Sequence, residues 1–264
     1  MGSAGLITLL TDFGSRDGYV ASIKGVILRL APATRLVDIS HEISPQNIEQ
    51  AAYVLGTVCP RYPAGTVHIA VVDPGVGSER RALVVEVLGQ CFVAPDNGIL
   101  SSVLGRNNAR VYAIDQERFR RPAPGSTFDG RDLFGPIGAW ISLGALPAAF
   151  GSEITDPIRS TTAAPTRTCQ RVDGCVIHID RFGNAITNLG SSEVALVAAT
   201  GPAAIQIRAA TLSLVRCYAD VSIGEIGAMI NSDGRLEIFV RNAAADGRLG
   251  IQPGDSVVLC PMVD

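Results

Sequence analysis

The segment Thr66–Val72, TVHIAVV, constrains the fold of this chain more than any other stretch. It is apolar and β-branched without the alternation of a half-exposed strand, so it must be covered on both faces. That is the situation of a strand inside a parallel sheet, and its surroundings agree. Gly5–Thr11 is a second short apolar run. Tyr19 to Leu30 follows, with Val20, Ile23, Ile27 and Leu30 at helical spacing and Pro32 closing the segment. Leu36–Ile39 reads as a strand, and Ser44 as the cap of a helix with Pro45 at its first position. Further strands are read at Ala82–Val87, Phe92–Ala94 and Arg110–Ile114, with helices near Asn97–Leu104 and Leu133–Leu146. Strands and helices in alternation predict an α/β N-terminal domain with a mainly parallel sheet flanked by helices. Ligands of such sheets sit beyond the carboxyl ends of the strands, so Asp12 and Asp73 are expected to face one cleft.

The pattern changes after Thr155–Thr168, a Thr-, Ala- and Pro-rich stretch without periodicity that reads as a linker. Beyond it, short strands separated by Gly, Pro and Asn turns predict a smaller β-rich, barrel-like C-terminal domain. The boundaries drawn are 1–160 and 169–264.

Composition removes several function classes. Formal net charge is −3, with no run of Lys or Arg, so neither a nucleic-acid footprint nor a membrane-surface helix is supported. The N-terminus lacks the basic start and long apolar run of a signal peptide, and no apolar stretch is long enough to span a bilayer. A cytoplasmic protein is expected. The six cysteines (Cys59, Cys91, Cys169, Cys175, Cys217, Cys260) form no CxxC pair and read as reduced, mostly buried thiols rather than metal ligands. His41, His68 and His178 are far apart in apolar surroundings and read as structural. No GxGxxG follows the first strand, so phosphate cradling is not indicated.

Three loops could carry chemistry. In Val71-Val72-Asp73-Pro74-Gly75 a strand-end carboxylate is held by stiff backbone with little to shield it. It could orient a water or accept its proton, or simply cap backbone N–H groups of a turn. Arg80 is close enough in sequence to pair with it. Thr11–Asp17 offers Asp12 and Asp17 to ribose hydroxyls or an ammonium group; alternatively Asp17 caps the helix that begins near Tyr19. Ile179–Asn184 sets Asp180, Phe182 and Asn184 around a glycine, which suits stacking on and reading a heteroaromatic ring, or a tight hairpin turn.

Taken in order, TDFGSRDGYVASIKG, DISHEISPQNIEQAAYVL, VVDPGVGSERRALVV, APDNGIL, TFDGRDLFGP, IDRFGNAITNL and NSDGRLEIFVRNAA resemble the S-adenosyl-L-methionine hydroxide adenosyltransferases, relatives of fluorinase and chlorinase. The resemblance spans nearly the whole chain. It implies displacement at C5′ of S-adenosylmethionine by water, giving adenosine and L-methionine. It also implies a homotrimer, with each active site between one subunit's N-terminal domain and its neighbour's C-terminal domain. A sulfonium is already a good leaving group, so no metal and no cofactor is expected.

The resemblance also implies residue roles. Halogenating members carry Tyr where this chain has Asp73, whereas hydrolytic members carry Asp there and Arg at the position of Arg80. Asp12 would hold the ribose, and Asp17 and Tyr19 would face the amino-acid group, as would Asp180, Asn184 and Ser232. Phe128 and Gly130 would wall the pocket, and Arg241 and Ala243 would read adenine through backbone groups. One departure stands out. Where hydrolytic members read Phe-His-Gly-Arg-Asp, this chain reads Phe128-Asp129-Gly130-Arg131-Asp132. The third member of the water-binding set would then be Asp129, a second carboxylate beside Asp73, and one of two like charges would tend to hold a proton. Two other outcomes stand beside hydrolysis: halide-dependent cleavage to a 5′-halo-5′-deoxyadenosine, and a non-catalytic module that binds S-adenosylmethionine or adenosine.

Overall fold

The computed structural model describes residues 5–160, 164–168, 170–199 and 201–262; Cys169 and part of the 155–168 stretch lie outside them. The chain divides into two compact units, Met1–Thr161 and Thr162–Asp264.

The first unit runs β1 (Leu6–Thr11), α1 (Tyr19–Leu30), β2 (Arg35–Ser40), α2 (Ile48–Val58), β3 (Val67–Val71), β4 (Ala82–Val87), β5 (Gln90–Pro95), α3 (Ser101–Leu104), β6 (Arg110–Ala113), α4 (Gly135–Ser142) and β7 (Glu153–Ile154). Its seven strands form one sheet in the order β2-β1-β3-β5-β4-β6-β7. The first four pair in parallel; β4, β6 and β7 join antiparallel.

The Thr66–Val72 segment, which contains β3, sits in the parallel part, and its residues divide between two cores. Val67, Ile69 and Val71 pack with Ile23, Ile27 and Ile137 of α1 and α4. Ala70 and Val72 face Ala51, Leu55 and Val103 of α2 and α3. His68, which also points to that second face, is fully buried; its Nδ1 meets Thr8 Oγ1 at 2.7 Å and its ring stacks on Phe92. Because β1 and β3 are neighbours in register, with Thr11 opposite Val71, the loops carrying Asp12 and Asp73 leave the same edge of the sheet.

Three local expectations need correction. The cap of α2 is Asn47, whose Oδ1 accepts the Gln50 N–H at 2.9 Å; Ser44 begins the turn before it. Asp17 does not cap α1: the capping position is Gly18, without a side-chain bond. The helix read at Leu133–Leu146 begins earlier, as a π-turn over Gly130–Phe134 that feeds α4.

The second unit contains β8 (Thr166–Arg167), β9 (Val172–Ile179), β10 (Ala185–Gly190), α5 (Ser191–Ala198), β11 (Ala203–Ile207), β12 (Ala210–Ser213), β13 (Ile226–Ile230), β14 (Arg235–Val240), α6 (Ala245–Leu249) and β15 (Ser256–Pro261). Its sheet is antiparallel, in the order β12-β11-β15-β9-β10-β14-β13, with β8 beside β9. A bridge between Leu214 and Ala228 brings the two ends together, so the sheet is nearly a barrel around Val176, Leu189, Ile205 and Ile238.

Of the described cysteines only Cys59 is fully buried; Cys217 is exposed and the others are half-buried, so the expectation of mostly buried thiols is too strong. Among the described residues no helix is long and apolar enough to cross a membrane.

Candidate active site

At the carboxyl end of β3 the Asp73 carboxylate is gripped by Arg80, whose Nε lies 3.0 and 2.9 Å from its two oxygens and whose Nη2 lies 2.5 Å from Oδ2. Both side chains are largely buried, Asp73 at 5% exposure and Arg80 at 12%. The same Nη2 reaches Asp129 Oδ2 at 2.5 Å. Burial alone would lower the Arg80 pKa, but Asp73 and then Asp129 more than offset it, and the guanidinium is held above its ordinary value. The three residues singled out as catalytic are therefore one hydrogen-bonded cluster.

The cluster has a fourth member that the sequence did not reveal. Arg120 Nη1 donates to the other oxygen of Asp129. Two carboxylates thus face two guanidiniums, and the crowding of negative charge read from Asp129 is met by Arg120. Nothing in the sequence marks Arg120, which lies in a Pro/Gly-rich turn region; its contact depends on the path of that loop.

Asp73 and Asp129 open onto a cavity of about 510 Å³ walled by Phe13, Tyr19 and Phe128. The three rings pack on one another with centroids 5.3 to 5.9 Å apart, and Arg131 lies over the Phe128 ring. Gly130 is fixed by this packing, because a Cβ there would lie 3.0 Å from Ile23 and 3.3 Å from both Phe128 and Phe13. The cavity therefore combines acid groups, already held by arginine, with an aromatic wall that suits an apolar or cationic group. Asp12 stands at the neighbouring strand end, where its Oδ2 accepts the Gln46 N–H at 2.8 Å. Asp17 lies on the exposed loop before α1 and is not part of the cavity wall. Asn97 ties the site to the sheet, donating from its amide to the Val72 carbonyl at 2.8 Å.

The second unit holds another open cavity, of about 640 Å³, lined by Phe182, Asn184, Tyr218, Arg241 and Ala243 among others. The turn joining β9 and β10 builds it. Asp180 Oδ1 accepts the N–H groups of Phe182 and Asn184, and Gly183 takes a φ of +82° where a Cβ would collide with Asp246 and Ala244. The motif is thus a tight turn and a pocket rim at once: it leaves Phe182 at 76% exposure beside Asn184. Asn184 Nδ2 donates to Asp180 Oδ2 at 3.2 Å and to the buried Glu237 at 3.0 Å, and Glu237 also accepts the Tyr218 hydroxyl at 2.6 Å. Burial, then the bond to Glu237, pushes the Tyr218 phenol well up. Sequence reading missed Glu237 and Tyr218. A signal for the first exists: a lone carboxylate inside the apolar run Leu236–Val240 must find a partner.

Arg241 and Ala243 do line this cavity, but their N–H groups donate to Glu225 and Val240, and the Arg241 guanidinium folds back onto the Val221 carbonyl. Ser232 is not brought to it. It occupies the exposed β13–β14 turn, at the opposite end of β14 from Arg241, roughly 20 Å away along the strand.

Comparison with known proteins accords with this geometry. Residues 7–151 match the SAM hydroxide adenosyltransferase N-terminal domain and residues 174–258 the C-terminal domain of the same name. An (R)-S-adenosyl-L-methionine hydrolase of Thermus thermophilus is 36% identical over 96% of this chain and 98% of its own length. One from Methanocaldococcus jannaschii is 39% identical over 90% of each chain. A fluorinase of Actinoplanes is more distant, at 24%. Among solved structures, an uncharacterized conserved protein from Thermotoga maritima superposes with a TM-score of 0.88 at 31% identity, over 96% of this chain and 99% of that one.

Proposed function

The chain belongs to the SAM hydroxide adenosyltransferase family, and from that premise we propose that it hydrolyses (R)-S-adenosyl-L-methionine to adenosine and L-methionine. The curated relatives that share nearly its full length act on this substrate by name. In the reaction a water oxygen bonds to C5′ as the C5′–S bond breaks. The bonding pair leaves with sulfur, the sulfonium becomes the neutral thioether of methionine, and the water gives up a proton to solvent by way of the Asp73 carboxylate that holds it.

The observation that carries the reading is the Asp73 carboxylate, fixed by Arg80 at the strand end and facing an aromatic-walled cavity. Held in this way, Asp73 orients the attacking water through a hydrogen bond and repels halide, which selects hydrolysis over halogenation. Phe13, Tyr19 and Phe128 keep other water from C5′ and face the sulfonium. Asp12 serves the ribose and Asp17 the amino-acid group. Phe182 stacks on the adenine and Asn184 reads its polar edge, in place of the amino-acid contact that the resemblance implied for Asn184; Asp180 shapes the turn that presents both, and Arg241 and Ala243 border the same cavity. No metal or cofactor takes part in this reading.

Each cavity is lined by residues of one unit alone. The working assembly in this reading is a homotrimer in the cytoplasm, with the N-terminal half (1–160) of one subunit and the C-terminal half (169–264) of its neighbour forming each site.

Incubating the purified protein with (R)-S-adenosyl-L-methionine, with and without chloride, tests the function. Adenosine and methionine in equal amounts are expected. A chloride-dependent halonucleoside would overturn the choice of nucleophile, and tight binding without adenosine would leave a binding module.

A further inference from the structure

We propose that Arg120 is a positioning residue for this hydrolysis: it neutralises Asp129 and so leaves Arg80 committed to Asp73. The inference rests on the function proposed above and adds a residue to it. Arg80 has one nitrogen, Nη2, that is shared between the two carboxylates, 2.5 Å from Asp73 and 2.5 Å from Asp129. The acids therefore compete for the same guanidinium. Arg120 settles the competition by taking the far oxygen of Asp129.

With Arg120 in place, two positive and two negative groups sum to zero; without it the cluster carries −1. The acids are at 5% side-chain exposure, so water does little to absorb the imbalance. It would be relieved by proton uptake or by a shift of Arg80 toward Asp129, and either weakens Asp73 as the acceptor of the attacking water. Arg120 is itself 33% exposed and reaches the cluster from the solvent side. Glu117, which also pairs with it, is 88% exposed at 3.9 Å and is a weak competitor. On this account Arg120 touches no reacting atom and matters only because position 129 is charged.

The test is a double-mutant cycle on the full-length enzyme, reading kcat and KM for (R)-S-adenosyl-L-methionine in the wild type, Arg120→Ala, Asp129→Asn and the double variant. Arg120→Ala is expected to lower kcat about tenfold or more with little change in KM. The double variant is expected to match Asp129→Asn within about twofold, because with position 129 neutral Arg120 has no carboxylate left to neutralise and Arg80 no rival for Asp73. Arg120→Lys, which keeps the charge, should stay near the wild type. An Arg120→Ala loss of equal size in both backgrounds would mean a role in holding the loop and would overturn the proposal, as would a wild-type rate in Arg120→Ala. If Arg120→Ala does not fold, Arg120→Gln takes its place in the same cycle. A wild-type enzyme that releases no adenosine would instead remove the parent reading, whereas normal wild-type turnover without coupling between residues 120 and 129 removes this one alone.

Discussion

The side-chain amide of Asn184 has two hydrogens, and both are engaged by carboxylates, Asp180 on one side and Glu237 on the other. An amide oxygen cannot face two such groups, so the orientation is fixed by charge. Among the described residues no donor reaches the remaining Oδ1, which borders the cavity. Asn184 can therefore offer a ligand only an acceptor, which suits the exocyclic amine of adenine and disfavours the oxo group of hypoxanthine. Replacing Glu237 with Gln leaves Asp180 alone to hold the amide against turning over. The kcat/KM ratio of the adenosyl substrate to its inosyl counterpart should then fall by about tenfold, the worth of one hydrogen bond. Measuring both substrates on both enzymes checks this, and an unchanged ratio would remove the orienting role. The Asp73–Arg80 pair was legible in the sequence because one glycine-rich loop carries both partners. Arg120 and Tyr218 were not, since their partners are placed by loop paths that no local pattern encodes.

At the scale of elements, the alternation of buried residues was read well and the segment ends less so. Strand β3 was recognisable because its residues fill two cores, whereas the start of α2 was misplaced. Ser44-Pro45 has the right residue types for a cap, but Gln46 takes a φ of +65°, so the chain turns once more before Asn47 begins the helix. Asn47→Ala should therefore cost about 1 kcal/mol of unfolding free energy, and Ser44→Ala distinctly less. Urea titration of the two variants compares them directly, and equal losses would contradict the assignment. Within β3, burial lowers the His68 pKa from 6.5 to about 4. A base whose folded pKa is depressed binds its proton more readily when unfolded, so its neutral form favours the native state fully above about pH 6.5. That contribution declines as pH falls toward 4, by at most about 3 kcal/mol. The urea midpoint of the wild type should drop across this window, and that of His68→Phe should drop less. A slope unaffected by the substitution would assign the acid sensitivity to other groups.

At the scale of the whole molecule, the sequence conveyed two kinds of strand pattern and therefore two kinds of unit, but not the antiparallel half of the first sheet. Strands β4 and β6 are largely apolar and bounded by turns, just as parallel strands are, and direction leaves no mark on composition; β7 is only two residues long. The assembly is the remaining question at this scale. Acid side chains line the cavity of the first unit, and an exposed aromatic ring and an oriented amide line that of the second. If the homotrimer pairs these halves across subunits, Asp73→Asn and Asn184→Ala enzymes should each be nearly inactive and yet complement one another. After joint unfolding and refolding in equal amounts, a site needs an intact first half from one variant and an intact second half from the other. Random assembly of a closed ring gives this at about one site in four, so roughly a quarter of wild-type activity should return. The same mixture without subunit exchange should stay inactive. No recovery, with trimers confirmed to be mixed by mass, would place both halves of each site on a single chain.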